Sequence, residues 1–237
     1  MKAILLAAGY GTRLKPITNT LPKCLVDIDG KPLLSFWLEM LFEVGINDII
    51  VNTHYLSNVV TDYISKSKFN NRVKIVYEEN LLGTGGTLLK NKEWVRNDQV
   101  ILIHADNLSI FKMQDFINSH RNRPSNCEIT MMTFNTDCPS LCGIVETDKN
   151  KVVINFHEKV ENPPSNHANG AVYIIEPTLL SYLKDMNKEI IDFSTEVLPN
   201  YLGKINTFQN NVYHRDIGNI ESYKKAILEF KKYKNNL

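Results

Sequence analysis

The chain opens on an apolar run, Ala3-Ile4-Leu5-Leu6-Ala7-Ala8, that passes at once into Gly9-Tyr10-Gly11-Thr12-Arg13. A short unbroken apolar stretch ended by glycine is the pattern of a strand buried on both faces. Past Pro32, which suits the first turn of a helix, Leu33, Leu34, Trp37, Leu38, Leu41 and Phe42 recur at helical spacing until Gly45 stops them. The pattern then predicts a strand over 48–52, a helix near 58–65 and a strand over 73–77. A short helix led by Gly83-Thr84-Gly85-Gly86 and a strand over 99–103 follow. Strands separated by helices predict an α/β fold, a doubly wound, mixed but mainly parallel sheet whose ligands collect beyond the carboxyl ends of strands. Gly9, Gly83 and Asp106 all lie at such ends.

The second half is less regular. Strands are predicted over 128–134, 143–146, 152–156 and 171–175, and helices over 177–186 and 221–233. No internal repeat or low-complexity linker marks a boundary, so a single domain over 1–237 is expected, with one half to about residue 110 and the other beyond it.

Composition narrows the classes. With 237 residues, 43% of them hydrophobic and 22% charged, the chain can bury one large α/β core, with or without a small lobe. A net charge of +1 leaves no electrostatic footprint for nucleic acid or an anionic membrane. The lysines near the end of the last helix read as a solvated terminus. Cys24, Cys127, Cys138 and Cys142 form no Cys-x-x-Cys pair, so reduced thiols are expected rather than disulfides or a zinc knuckle. No stretch reads as a signal peptide or membrane span, and a cytoplasmic protein, monomeric or a small homo-oligomer, is the expectation.

The opening loop is suited to phosphate. Gly9 and Gly11 remove Cβ atoms where the backbone is expected to turn tightly and gather N–H donors, while Arg13 and Lys23 add positive charge. A dinucleotide fingerprint would need a small residue where Leu14 stands, and a Walker-type loop would need Gly-Lys-Ser/Thr where Gly11-Thr12-Arg13 stands. Both readings fail.

Leu6-Ala7-Ala8-Gly9-Tyr10-Gly11-Thr12-Arg13-Leu14, Pro16, Thr18, Pro22-Lys23 and Gly30-Lys31-Pro32-Leu33 together resemble the signature of the sugar-1-phosphate nucleotidyltransferases, nearest in look to the mannose- and heptose-phosphate guanylyltransferases. The resemblance implies a Rossmann-like nucleotidyltransferase fold with a nucleotide-binding first half and a small inserted sugar lobe in the second; the hexapeptide β-helix that many relatives append is not expected, because one amphipathic helix ends the sequence. It implies as partners a nucleoside triphosphate and a sugar 1-phosphate, and Mg²⁺ as cofactor. It places the nucleotide on Leu6, Ala8, Gly9, Gly11, Thr12, Arg13, Lys23 and Asp106, and the base near Glu78, Glu79, Gly83 and Thr84.

Asp106 follows an apolar strand, too far from the next helix to cap it, and metal ligation gives it a purpose. Asp216, in Tyr213-His214-Arg215-Asp216-Ile217-Gly218, resembles the family's second metal acid, although by itself Asp-x-Gly is ordinary turn chemistry. Glu158-Lys159 before Pro163 resembles the sugar-phosphate segment, with Lys159 on the phosphate and Glu158 and Asn169 on sugar hydroxyls. Gly143 reads either as backbone bared for a sugar ring or as a strand-start glycine. A carboxylate at Glu78 or Glu79 complements the donor edge of guanine, unless both face solvent. His54, His120, His157 and His214 read as structural or surface residues, and Ser194 or Thr195 as a helix cap.

The implied reaction is in-line attack of a sugar-1-phosphate oxygen on the α-phosphorus of the triphosphate, with pyrophosphate leaving and no covalent nucleophile. Arg13, Lys23, Asp106, Asp216 and Lys159 carry it. Rivals are a cytidylyl- or uridylyltransferase, a catalytically silent sugar-nucleotide-binding homologue and a dehydrogenase, the last disfavoured by Leu14.

Overall fold

The computed structural model describes residues 1–233. The fold is α/β around a mixed central sheet, and the chain forms two compact units interleaved in sequence. One comprises residues 2–81, 103–113 and 212–233; the other comprises Met1, 82–102 and 114–211.

The first unit holds the parallel ladder. Lys2–Leu6 pairs with Ile49–Thr53, which pairs in turn with Lys74–Tyr77, all parallel. Ala3, Ile4, Leu5, Ile50 and Val51 are almost wholly buried, which is why these strands read as continuous apolar runs rather than alternating ones. The helices Leu33–Glu43 and Ser57–Lys66 make the crossovers. Ile220–Tyr233 closes the unit, burying Ala226 and Phe230, with Phe230 edge-on to Phe36 at 5.3 Å between ring centres. Sealing one such ring from water is worth about 2 to 3 kcal/mol. The core there also takes in Leu14, Leu33, Leu108, Ile110, Tyr213 and Ile217.

The second unit is chiefly antiparallel. His167–Ile175 pairs with Ile129–Asn135 and Gly143–Thr147, the latter pairs with Val153–Glu158, and Ile205–Gln209 adds a parallel strand. Buried beneath, His120 Nδ1 lies 2.8 Å from Thr130 Oγ1 and Nε2 lies 3.1 Å from Glu176 Oε1, a carboxylate that also takes the Arg123 guanidinium. Burial, then the Arg123 charge, pushes the His120 imidazole down to about 4.

No helix among the described residues is long and apolar enough to cross a membrane.

Candidate active site

The loop after the first strand is fixed at both ends. The Ala7 N–H donates to Asn52 Oδ1 at 2.8 Å, tying the strand's exit to its parallel neighbour. Buried Ala8 offers its carbonyl to the Tyr55 N–H at 3.5 Å. Gly11 then adopts φ +62°, and one 3₁₀ turn, Thr12–Leu14, drops Leu14 into the core while Arg13 stays exposed. The residue that excludes a dinucleotide site is thus the loop's apolar anchor. The Thr18 hydroxyl donates to the Gly11 carbonyl at 2.8 Å, and a Cβ on Gly11 would lie 3.0 Å from Thr18 Cγ2. Gly9 is different: its φ is not left-handed and an added Cβ would meet nothing within 4 Å. The tight-turn reason expected for both glycines holds at Gly11 alone; Gly9 is bare towards open space.

Asp106 is set beside this loop by the Ala105 N–H, which donates to the Leu6 carbonyl at 3.1 Å. The chain does not turn into a helix next. Asn107–Ile110 is a strand, paired antiparallel with Tyr213–Asp216 so that Asn107 faces Asp216 in register. That ladder brings together two acids more than a hundred residues apart, and Asp216 sits at a strand end rather than in the loop the sequence suggested. Two side-chain bonds hold it: Trp37 Nε1–H donates to the Asn107 carbonyl at 2.8 Å, and His214 Nδ1 lies 2.6 Å from Ser109 Oγ. Burial pushes His214 down to about 3, so it stays a neutral structural group, as expected.

Lys23 lies between the acids, its Nζ 2.8 Å from Asp106 Oδ2 and 3.2 Å from Asp216 Oδ1. Burial by itself would lower the lysine, but the charges of Asp106 and Asp216 outweigh it and hold the ammonium above its ordinary value. Burial would raise the Asp106 carboxyl; Lys23 and His104 reverse that and keep it below the usual range. Lys23 and Asp106 therefore form a charged pair.

A cavity of about 170 Å³ is lined by Gly9, Gly11, Thr12, Arg13, Lys23, Cys24, Asp106 and Gly218. That volume suits phosphate groups and an ion rather than a whole nucleotide. Leu6 and Ala7 form part of its lining. Burial pushes the Cys24 thiol up to about 12, leaving it a neutral wall and no nucleophile. Gly218 was not singled out from the sequence, because Asp-Ile-Gly reads as a turn. A Cβ there would stand 2.6 Å from Asp216 Oδ2 and 3.5 Å from an Arg13 Nη atom, so only glycine leaves the acid in place. No group of three or more His, Cys, Asp or Glu side chains that could hold a metal occurs among the described residues. Asp106 and Asp216 offer hard oxygen donors for an ion that keeps water or substrate oxygens as its other ligands.

The base-side candidates of this unit separate: Glu78 is buried and Glu79 exposed. His54 Nδ1 lies 2.8 Å from the Glu78 carbonyl, so in the neutral ring that nitrogen carries the proton, and the Tyr10 hydroxyl, 2.9 Å away, donates to Nε2.

In the second unit the remaining candidates are used partly by the fold itself. Gly83 opens the helix Gly83–Lys90 at φ +72°, where a Cβ would sit 2.5 Å from the Ile191 carbonyl, and Thr84 Oγ1 accepts the Phe193 N–H at 2.9 Å. Close backbone packing on Ile191 accounts for that glycine. Gly143 has a packing reason of its own: a Cβ there would strike Phe156 at 2.6 Å and Glu158 Oε2 at 2.7 Å. Lys159 is exposed, at φ +51°, with Nζ 3.0 Å from Glu158 Oε1. The Asn169 amide is engaged at both ends, donating to Tyr173 Oη at 2.7 Å and accepting the Ala171 N–H at 2.9 Å. The expected Ser194 or Thr195 cap is instead Asp192, whose Oδ1 accepts the Thr195 N–H at 2.9 Å.

Comparison with known proteins assigns the family. A model described as Nucleotidyl transferase matches residues 2–232. The chain belongs to that family. It is 32% identical over 197 residues to a UTP–glucose-1-phosphate uridylyltransferase of Synechocystis sp., covering 77% of this chain and 51% of the relative. It is 29% identical over 226 residues to a mannose-1-phosphate guanylyltransferase of Mycobacterium tuberculosis, covering 93% and 62%. The chain thus spans between half and two-thirds of the length of these curated relatives. The fold matches a solved structure of a candidate glucose-1-phosphate thymidylyltransferase from Bacillus anthracis, with a TM-score of 0.85 at 22% identity over 97% of this chain and 94% of that one.

Proposed function

We propose that the chain transfers a nucleotidyl group from a nucleoside triphosphate to a sugar 1-phosphate, releasing pyrophosphate. The observation that supports the reading is a phosphate-sized cavity lined by Gly9, Gly11, Thr12, Arg13, Lys23 and Asp106, with Asp216 bonded to the same lysine. The protein contributes position and charge, and because the attacking sugar phosphate is already ionised, no general base is needed. Arg13, an exposed residue of the cavity lining, neutralises charge on the departing pyrophosphate, and Lys23 holds the triphosphate. Lys159 is assigned to the phosphate of the acceptor, and Glu158 and Asn169 to its sugar hydroxyls, on the family resemblance.

Mg²⁺ fits the acids: both present oxygen donors to the point where a cation, the lysine ammonium, already rests. Asp106 and Asp216 would hold the ion, and when bound it would neutralise charge on the α-phosphate oxygens. We place the reaction in the cytoplasm, where the thiols of Cys24, Cys127, Cys138 and Cys142 stay reduced.

Guanine is the favoured base, on the exposed carboxylate of Glu79 just beyond the strand Lys74–Tyr77 and on the guanylyltransferase named among the relatives. A site built to bond the guanine donors penalises a base without them by about 1 to 3 kcal/mol per unpaired group. The uridylyltransferase relative keeps UTP as a second reading. A panel of four nucleoside triphosphates against several sugar 1-phosphates, read by pyrophosphate release and product mass, tests both. GTP should give the highest kcat/KM; a lead for UTP or CTP overturns the base, and no pyrophosphate release from any pair overturns the reaction.

A further inference from the structure

A lysine side chain only 11% exposed puts its ammonium between the two acids, in reach of both. Its Nζ donates to one oxygen of Asp106 and one of Asp216, at 2.8 and 3.2 Å. We propose that Lys23 is a built-in competitor for the metal ion, so that a divalent cation enters the two-acid site tightly only when a triphosphate draws the ammonium away. The inference rests on the nucleotidyl-transfer reading above.

The argument is electrostatic. With the lysine in place the trio carries a net charge of −1, and an arriving divalent ion meets an ammonium already held by charge-assisted hydrogen bonds. Mg²⁺ approaches its oxygen ligands to about 2.0–2.1 Å, closer than an ammonium does, so the two cannot share the same pair of oxygens. Lysine leaving into water would forfeit both bonds from a largely buried position. A triphosphate changes the balance, because its oxygens offer the ammonium new anionic partners inside the same cavity. The lysine stem is placed for that exchange: Lys23 Cβ would lie 3.4 Å from a Cβ on Gly11, directly against the phosphate loop. By linkage, metal must then tighten nucleotide binding by the same factor by which nucleotide tightens metal binding.

The test uses the full chain and Mn²⁺ as the probe, with free Mn²⁺ counted by electron paramagnetic resonance and folding checked by thermal denaturation. Wild type should bind Mn²⁺ weakly alone and at least about tenfold more tightly with a non-hydrolysable GTP analogue. Lys23→Gln should bind Mn²⁺ alone at least about tenfold more tightly than wild type and gain little from the analogue, and adding Asp216→Asn should abolish that gain. Should Lys23→Gln fail to fold, wild type still decides: equal Mn²⁺ affinity with and without the analogue overturns the competition. If wild type shows the coupling but folded Lys23→Gln binds Mn²⁺ no better than wild type, the competitor role falls and the two-acid site stands. If no Mn²⁺ binds even with the analogue, the two-acid site and the inference fall together.

Discussion

Two glycines two residues apart in one loop should fail for different reasons when given a methyl group. At Gly11 the backbone sits at φ +62°, where an L-residue pays about 1 to 2 kcal/mol. The new Cβ would also press on Thr18 Cγ2 at 3.0 Å, and Thr18 is fully buried with its hydroxyl committed to the Gly11 carbonyl. Moving it loosens a hydrogen bond worth about 0.5 to 1.5 kcal/mol. Against this, alanine stiffens the unfolded chain by about 0.4 to 1 kcal/mol. Gly11→Ala should therefore lose about 1 to 2.5 kcal/mol in urea unfolding, and about 2 to 10 °C in Tm. Gly9→Ala meets nothing within 4 Å, so it should stay within about 0.5 kcal/mol of wild type. Because Gly9 lines the cavity, its methyl should instead weaken triphosphate binding by about tenfold, or 1.4 kcal/mol, in calorimetry. If Gly11→Ala proves as stable as wild type, or Gly9→Ala is the destabilised one, the division of labour in the loop is wrong.

Asp106→Asn and Asp216→Asn should each cut pyrophosphate release by on the order of a hundredfold, about 3 kcal/mol in the transition state, in folded protein, and EDTA should abolish it; full activity in either variant rules out the two-acid site. Arg13→Ala should weaken triphosphate binding, whereas Lys159→Ala should leave nucleotide affinity near wild type and raise the KM for the sugar phosphate; equal loss of nucleotide affinity in both defeats the assignment. For pH, His120 and His214 titrate at about 4 and about 3 when folded against 6.5 when unfolded, so their contribution to stability is complete above pH 6.5 and shrinks as pH falls towards the folded values. Unfolding free energy should drop by at least about 2 kcal/mol between pH 6.5 and 5. The carboxylates held low by their partners, such as Glu39 and Glu128, lose their contribution only at more acid pH. Urea titrations across that range check it, and a flat profile contradicts the buried neutral histidines.

The α/β class and the phosphate loop were legible because they rest on local pattern: apolar runs long enough for buried strands, and glycines at a strand exit. Leu14 could be read as excluding a dinucleotide site, but not as the anchor of the 3₁₀ turn, since its burial depends on Val26, Leu33 and Ile217 from elsewhere in the chain. The short strands Asn107–Ile110 and Tyr213–Asp216 escaped the pattern because neither is long enough to show alternation; each exists by virtue of the other. That pairing alone brings Asp216 to Asp106 and makes Gly218 indispensable beside it. Likewise Gly143 and Asn169 carry family-like surroundings, yet which atoms approach them was decided by Phe156, Glu158 and Tyr173 across and along the sheet. The sequence by itself determined which residue types were on hand for phosphate and cation chemistry, because side-chain charge and backbone freedom are local properties. Which oxygens face one another, and which cation stands between them, only the tertiary structure decided, because hydrogen-bond geometry between residues 83 and 193 positions apart is set by the register of strands and not by spacing along the chain.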